Sequence, residues 1–164
     1  MKKILWVVVV NLLFISCKGQ KKIDKNVEKQ NPKIEKVTKS TEEWQKILTP
    51  MQFDVLRNKE TERPFTGEYV TNFEKGQYVC AGCSNVLFLS DAKFDSDCGW
   101  PSFDKAIKGS VNYITDNTFG MERIEVVCAK CDGHLGHVFK DGPTNTGDRF
   151  CTNSVSIKFI PKKI

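Results

Sequence analysis

Two C-x-x-C pairs, Cys80–Cys83 and Cys128–Cys131, constrain the fold more than any other feature of the sequence. Each pair offers two sulfurs from one tight loop, and zinc prefers four thiolates in a tetrahedron, so the pairs predict a structural zinc site. The segments YVCAGCSN and VVCAKCDG both follow strand-like stretches and carry turn formers after the second cysteine. Forty-four residues separate the pairs, more than a simple ribbon needs, so the ion would clip distant parts of one domain together. Two other readings stand beside zinc. An oxidising compartment favours disulfides, and the six cysteines other than Cys17 allow fifteen pairings. A redox-active C-x-x-C normally opens a helix after a strand, and no helical pattern follows either pair.

The chain has 164 residues, enough for one domain with a real core plus extensions. Its net charge of +5 is unevenly placed. Residues 18–40 hold eight lysines against Asp24, Glu28 and Glu35, for +5; Lys2 and Lys3 add +2; residues 41–164 hold fifteen basic and seventeen acidic side chains, for −2. The part expected to fold is therefore slightly acidic, which removes the electrostatic case for a nucleic-acid partner. Residues 18–40 contain Pro32, are rich in Lys, Gln and Asn, and lack an apolar period, so they read as a flexible linker. Ahead of them, Lys2 and Lys3 precede a mostly apolar run from Ile4 to Ile15, the pattern of an export signal. A transmembrane anchor is the competing reading, but the run falls short of the roughly 20 residues that crossing a bilayer takes. The segment LFISC resembles a bacterial lipobox, with Phe14 a less usual occupant three places before the cysteine. That resemblance implies that residues 1–17 are a lipoprotein signal peptide and that Cys17 carries the lipid. The protein would then be membrane-anchored in the bacterial cell envelope, facing the periplasm.

Residues 41–164 read as the folded domain, mostly β with short N-terminal helices. Ser40-Thr41-Glu42-Glu43 fits a capping box ahead of Trp44, Ile47 and Leu48. Thr49-Pro50-Met51-Gln52 fits a second, with proline at the first helical position, before Phe53, Val55 and Leu56. From Gln77 onward, short apolar runs broken by Gly, Asn and Asp predict strands or strand pieces joined by turns: YVCAGCSNVLFL, SVNYITD, RIEVVCAK, GHVFKD and RFCTNSVSIKFI.

The only histidines, His134 and His137, lie together in CDGHLGHVFKDGP. They are either further metal ligands beside Cys131 or acid/base groups in a cleft, and a zinc already holding four sulfurs frees them for proton transfer. Gly133 and Gly136 predict turns here, since residues three apart on a straight strand face opposite ways. Around Cys151, a period of two puts Arg149, Cys151, Asn153, Val155, Ile157 and Phe159 on one face and Ser154, Ser156 and Lys158 on an exposed one. Cys151 is then either an inert core cysteine or a reactive one, and a neighbouring guanidinium favours its thiolate.

TERPFTGEY at 61–69, the two C-x-x-C pairs, DCGWPSF, GHLGHVF and RFCTNS together resemble the B-type methionine sulfoxide reductases (MsrB), which act on the R epimer. The resemblance runs in order from about Trp44 to the C-terminus. It implies coiled antiparallel β-sheets, one structural Zn2+ held by Cys80, Cys83, Cys128 and Cys131, a monomer, oxidised methionine in proteins as substrate and a thioredoxin-like reductant. By motif, Cys151 is the nucleophile that becomes a sulfenic acid. His134, His137 and Asn153 would hydrogen-bond or protonate the sulfoxide oxygen, supported by Asp141 and Arg149. Trp100 would receive the substrate's methyl group, and Cys98 would resolve the sulfenic acid as a disulfide. The chemistry suits the residues: a sulfoxide oxygen leaves only on gaining protons, and a sulfenic acid needs a second thiol to escape irreversible oxidation.

This chain departs from the family's SGCGWPSF by placing Asp97 where glycine is usual. Asp tolerates left-handed geometry, but its charge is expected to raise the Cys98 pKa and slow disulfide formation. A non-catalytic zinc-binding module on the same fold is the alternative, and it would have no need of Cys98, Cys151 and the histidines. A general thiol–disulfide oxidoreductase would want its two redox cysteines close in sequence; here they are fifty-three apart.

Overall fold

Ser40 and Thr49 each accept a hydrogen bond from the backbone N–H three residues on, while Glu43 and Gln52 reach back to the cap N–H. These two capping boxes start helices α1 (Thr41–Ile47) and α2 (Pro50–Asn58). Such short helices are marginal alone, and packing holds them: Trp44, Leu48, Val55 and Leu56 are buried, whereas Ile47 faces solvent. The computed structural model describes residues 35–163. The expected signal peptide, Cys17 and most of the expected linker lie outside them. Among the described residues no helix is long and apolar enough to cross a membrane. The chain is already docked at Val37, whose N–H donates to the Lys130 carbonyl.

The remainder is two antiparallel sheets. One has the order β2–β1–β9, from β1 (Gly76–Cys80), β2 (Val86–Leu89) and β9 (Ile157–Pro161). The other has the order β3–β4–β8–β7–β6–β5. Its strands are β3 (Lys93–Phe94), β4 (Ser102–Phe103), β5 (Val111–Asp116), β6 (Arg123–Cys128), β7 (His134–Phe139) and β8 (Arg149–Thr152). The core joins the sheets through aromatic rings. Phe88 of β2 stacks on Phe103 of β4 at 4.2 Å, and Phe150 of β8 and Tyr78 of β1 meet that pair edge-on. Offset and edge contacts of this kind add to the plain burial of the rings.

The structure corrects the reading of RFCTNSVSIKFI as one strand. β8 ends at Thr152, a 3₁₀ turn takes Ser154–Ser156, and β9 then enters the other sheet. Parity therefore fails after Asn153: Ser154 and Ser156 are buried, and only Lys158 is exposed as expected. The cause is Glu62. Its carboxylate accepts the N–H groups of Ser154 and Val155, which gives the turn backbone partners that a strand ladder would otherwise supply.

Candidate active site and thiolate cluster

The two knuckles are built alike. Cys80 and Cys128 each accept from the N–H four residues on and donate to the carbonyl five residues on, with Ser84 and Asp132 in the left-handed region at the matching position. Cys80 and Cys83 belong to the β1–β2 connection and Cys128 and Cys131 to the β6–β7 connection, so the cluster ties the two sheets together. All four sulfurs lie within 4.8 Å of one another, with Cys80–Cys131 at 3.6 Å and Cys83–Cys128 at 3.5 Å. Thiolates about 2.3 Å from one tetrahedral ion would sit about 3.8 Å apart, so the donor set and spacing fit a metal site. From α2, Arg57 donates to the Cys131 carbonyl and covers the Trp44 ring, bracing the second knuckle.

That knuckle runs directly into β7, which carries both histidines. The β6–β7 register steps from Val126↔Gly136 to Val127↔His134, leaving Leu135 as an extra residue. The bulge changes the parity, so the rings of His134 and His137 sit side by side, 5.5 Å apart. Gly136 is thus not in a turn, as the sequence suggested, but inside the bulged strand at φ 149°. A Cβ there would lie 2.0 Å from the Cys151 carbonyl oxygen, so only glycine lets β7 lie this close to the next strand.

Cys151 occupies the middle of β8, opposite His137 of β7 on one side and Ser102 of β4 on the other. Cys98 arrives from the loop before β4, and its sulfur stands 3.5 Å from that of Cys151. Ser96 donates to Cys98 at 3.0 Å, and the Ser102 hydroxyl lies 3.4 Å from it. These two sulfurs lie within hydrogen-bonding distance of each other. Hydrogen bonding from Cys151 pulls the Cys98 thiol down to about 4 against the cost of burial, with help from Ser102 and Ser96. The same bond, together with burial, pushes Cys151 up, and Arg149 opposes it. The expectation that Asp97 raises Cys98 is therefore corrected: the partner sulfur and two serines decide the balance. Asp97 itself adopts φ 53°, the left-handed geometry that Asp tolerates where glycine is usual.

A cleft of about 220 Å³ opens over Cys151, lined also by Trp100, His137, Asn153, Gly136, Phe139, Thr61 and Arg123. Arg149 holds Asp141 through two 2.8 Å bonds and lies over the Phe139 ring, so Asp141 reaches the site only through Arg149. Asn153 is buried, with its amide donating to the Leu135 carbonyl and its carbonyl accepting from the Glu62 N–H. His134 is buried, outside the cleft lining; burial weakens its basicity, with Glu125 opposing.

Three acidic residues that motif reasoning did not single out organise the site. The Glu62 carbonyl accepts from Trp100 Nε1 at 3.2 Å, so this one residue fixes Trp100, Asn153 and the turn that follows β8. Burial pushes its carboxyl up, while the Ser154 and Val155 N–H groups pull it down less strongly. Glu125 bonds His134 Nδ1 at 2.8 Å and Lys59 at 2.8 Å. Asp116 bonds His137 Nε2 at 2.8 Å and Arg123 at 2.7 Å. One signal was available for Glu125, a carboxylate inside the apolar run RIEVVC; such a residue needs a buried partner.

A SelR domain profile matches residues 48–161. Proteins named peptide methionine sulfoxide reductase MsrB match most of the chain. The one from Bradyrhizobium diazoefficiens is 59% identical over 129 residues, covering 78% of this chain and 93% of that protein. The one from Methanosarcina mazei is 55% identical, covering 78% and 92%. The one from Leptospira interrogans is 56% identical over 124 residues, covering 75% and 95%.

Proposed function

The chain belongs to the SelR-domain family of peptide methionine sulfoxide reductases, and from that membership we propose how it reduces the R epimer of methionine sulfoxide in proteins. The observation that carries the mechanism is the pair of sulfurs 3.5 Å apart, with Cys151 lining a cleft walled by Trp100 and His137. The substrate's methyl group rests on the Trp100 ring, whose indole N–H is already taken by Glu62, leaving an apolar face to the cleft. Cys151 passes its proton to Cys98 and attacks the sulfoxide sulfur as a thiolate. The oxygen moves to Cys151 while the substrate sulfur gains two electrons, giving Cys151–SOH and methionine. A positioned acid protonates that oxygen as it transfers. Cys98 then attacks the sulfenic acid; the disulfide forms and water leaves, so the sulfenic acid escapes further oxidation. A thioredoxin-like reductant reopens the disulfide by thiol exchange.

His137 and Asn153, which line the cleft, serve the sulfoxide oxygen with His134 buried beside His137, and Asp141 holds Arg149 beside Cys151. Zinc suits Cys80, Cys83, Cys128 and Cys131, because four thiolates leave no open position; its role is structural. The enzyme works as a monomer. Lys2, Lys3, the apolar run and LFISC support a lipoprotein anchored through Cys17 in the cell envelope, with residues 18–40 as its leash. The test is incubation with separated R and S epimers and dithiothreitol. Wild type should consume only the R epimer and Cys151→Ser neither. Activity of Cys151→Ser on the R epimer would refute the assignment.

A further inference from the structure

His134 and His137 are alike in sequence but not in surroundings, and the difference assigns them separate work. Asp116 is saturated with donors: Thr118 gives its N–H and hydroxyl to Oδ1, and Arg123 gives Nη2 to Oδ2. An ionised carboxylate only accepts, so the 2.8 Å contact from Oδ2 to His137 requires a proton on Nε2. The nitrogen left to the cleft is Nδ1. In a neutral ring with Nε2 protonated, Nδ1 is an acceptor and has nothing to offer a sulfoxide oxygen, itself an acceptor. Nδ1 becomes a donor only in the imidazolium, whose charge Asp116 balances. His134 is arranged the other way round. Glu125, already receiving Lys59, fixes the proton of His134 on Nδ1. Its Nε2 is buried without a partner among the described residues, a setting that opposes a second proton.

We propose that Asp116 is a positioning residue for the oxygen transfer, fixing the tautomer and orientation of the His137 ring; this rests on the function proposed above. The proton on Nδ1 of His137 passes to the sulfoxide oxygen as that oxygen leaves the methionine sulfur for Cys151. The proton that Cys151 gives up returns to the ring through Cys98 and solvent, so the net step consumes none. Asp116 and Arg123 face His137 from the β5–β6 hairpin, Glu125 from β6, His134 from its own strand, and Cys151 with Cys98 and Arg149 from the β8 side. Of these, Asp116 is the carboxylate that bonds the His137 ring.

The experiment is a double-mutant cycle on the single-turnover rate of sulfide formation, using the full domain and a methionine-R-sulfoxide peptide. Asp116→Asn should slow the step about 100-fold, within the range of a positioned acid. In a His137→Gln background it should add less than about twofold, because the residue it acts through is gone. A purely structural Asp116 would multiply in by the same factor in both backgrounds. That outcome, or an Asp116→Asn rate within about twofold of wild type, overturns the proposal. Nitrogen-15 NMR of the wild-type side chains needs no variant: His137 should carry its proton on Nε2 and His134 on Nδ1. An unprotonated Nε2 on His137 at neutral pH also overturns it. A wild-type chain that reduces no sulfoxide would refute the function itself, a result separable from all of these.

Discussion

Replacing Glu62 by glutamine tests whether one buried carboxylate holds the turn that follows Cys151. Glu62 is 5% exposed, and its two oxygens accept the Ser154 and Val155 N–H groups at 2.5 and 3.1 Å. In Glu62→Gln one oxygen becomes an NH2, so whichever way the amide turns, one backbone N–H faces a donor. A hydrogen bond to a charged group contributes about 1.5–3 kcal/mol, and a buried donor left unpaired costs about 1–3 kcal/mol. Relief from burying a charge offsets part of this. The expected net loss is about 2 kcal/mol, which for a domain of this size is a fall in Tm of about 6–10 °C. The Glu62 main-chain bonds to Asn153 and Trp100 survive the change, so activity should fall much less than stability. The pH dependence gives a second reading. Burial raises the folded pKa of Glu62 above its unfolded value. Between the two pKa values the native state therefore binds more protons, and this residue's contribution to stability falls as pH rises through that window. Thermal melts of wild type and variant across pH 4 to 8 measure both effects. A Tm change under about 2 °C, with no difference in pH slope, would refute the clamp.

Cys98→Ser should release one equivalent of methionine per enzyme and then stall with thioredoxin as reductant, measured by product burst; full cycling would remove Cys98 from resolution. Gly136→Ala should cost more than about 3 kcal/mol, since its Cβ meets the Cys151 carbonyl at 2.0 Å and φ 149° disfavours a side chain. Urea unfolding checks that figure. Extraction of bound metal by a strong chelator should lower Tm and slow turnover together, because β7 begins at the second knuckle; metal content, melting and rate are followed on one sample.

Local chemistry was legible in the sequence wherever a few neighbouring residues suffice. The boxes at Ser40 and Thr49 are read from four residues each, and the C-x-x-C pairs announce a shared ligand whatever lies between them. Cys98 and Cys151, fifty-three residues apart, become neighbours through the β4–β8 ladder, which no periodicity reports. The misread strand has the same origin. Residues 154–156 alternate correctly for β structure, yet Glu62, ninety-two positions before Ser154, claims the N–H groups of Ser154 and Val155. The two histidines were visible; of their carboxylates only Glu125 left a signal, its place in an apolar run, whereas Asp116 sits on a hairpin strand where charged residues are ordinarily solvated. A bulge at Leu135 brings the rings together, and no residue type marks a bulge unambiguously.

The thiolate cluster also bears on the order in which the chain assembles. Its contacts are nested: Cys80 meets Cys131 across 51 positions, and Cys83 meets Cys128 across 45 inside that span. Closing a loop of that size while the chain is still unfolded removes much of the search that long-range strand pairing otherwise demands. An ion captured early would set the β1–β2 and β6–β7 hairpins side by side before either sheet is complete. β8 and β9, which come last in the chain, would then add to edges already in place. Cys151 would reach its position beside Cys98 only in that final step, after the surrounding scaffold has formed.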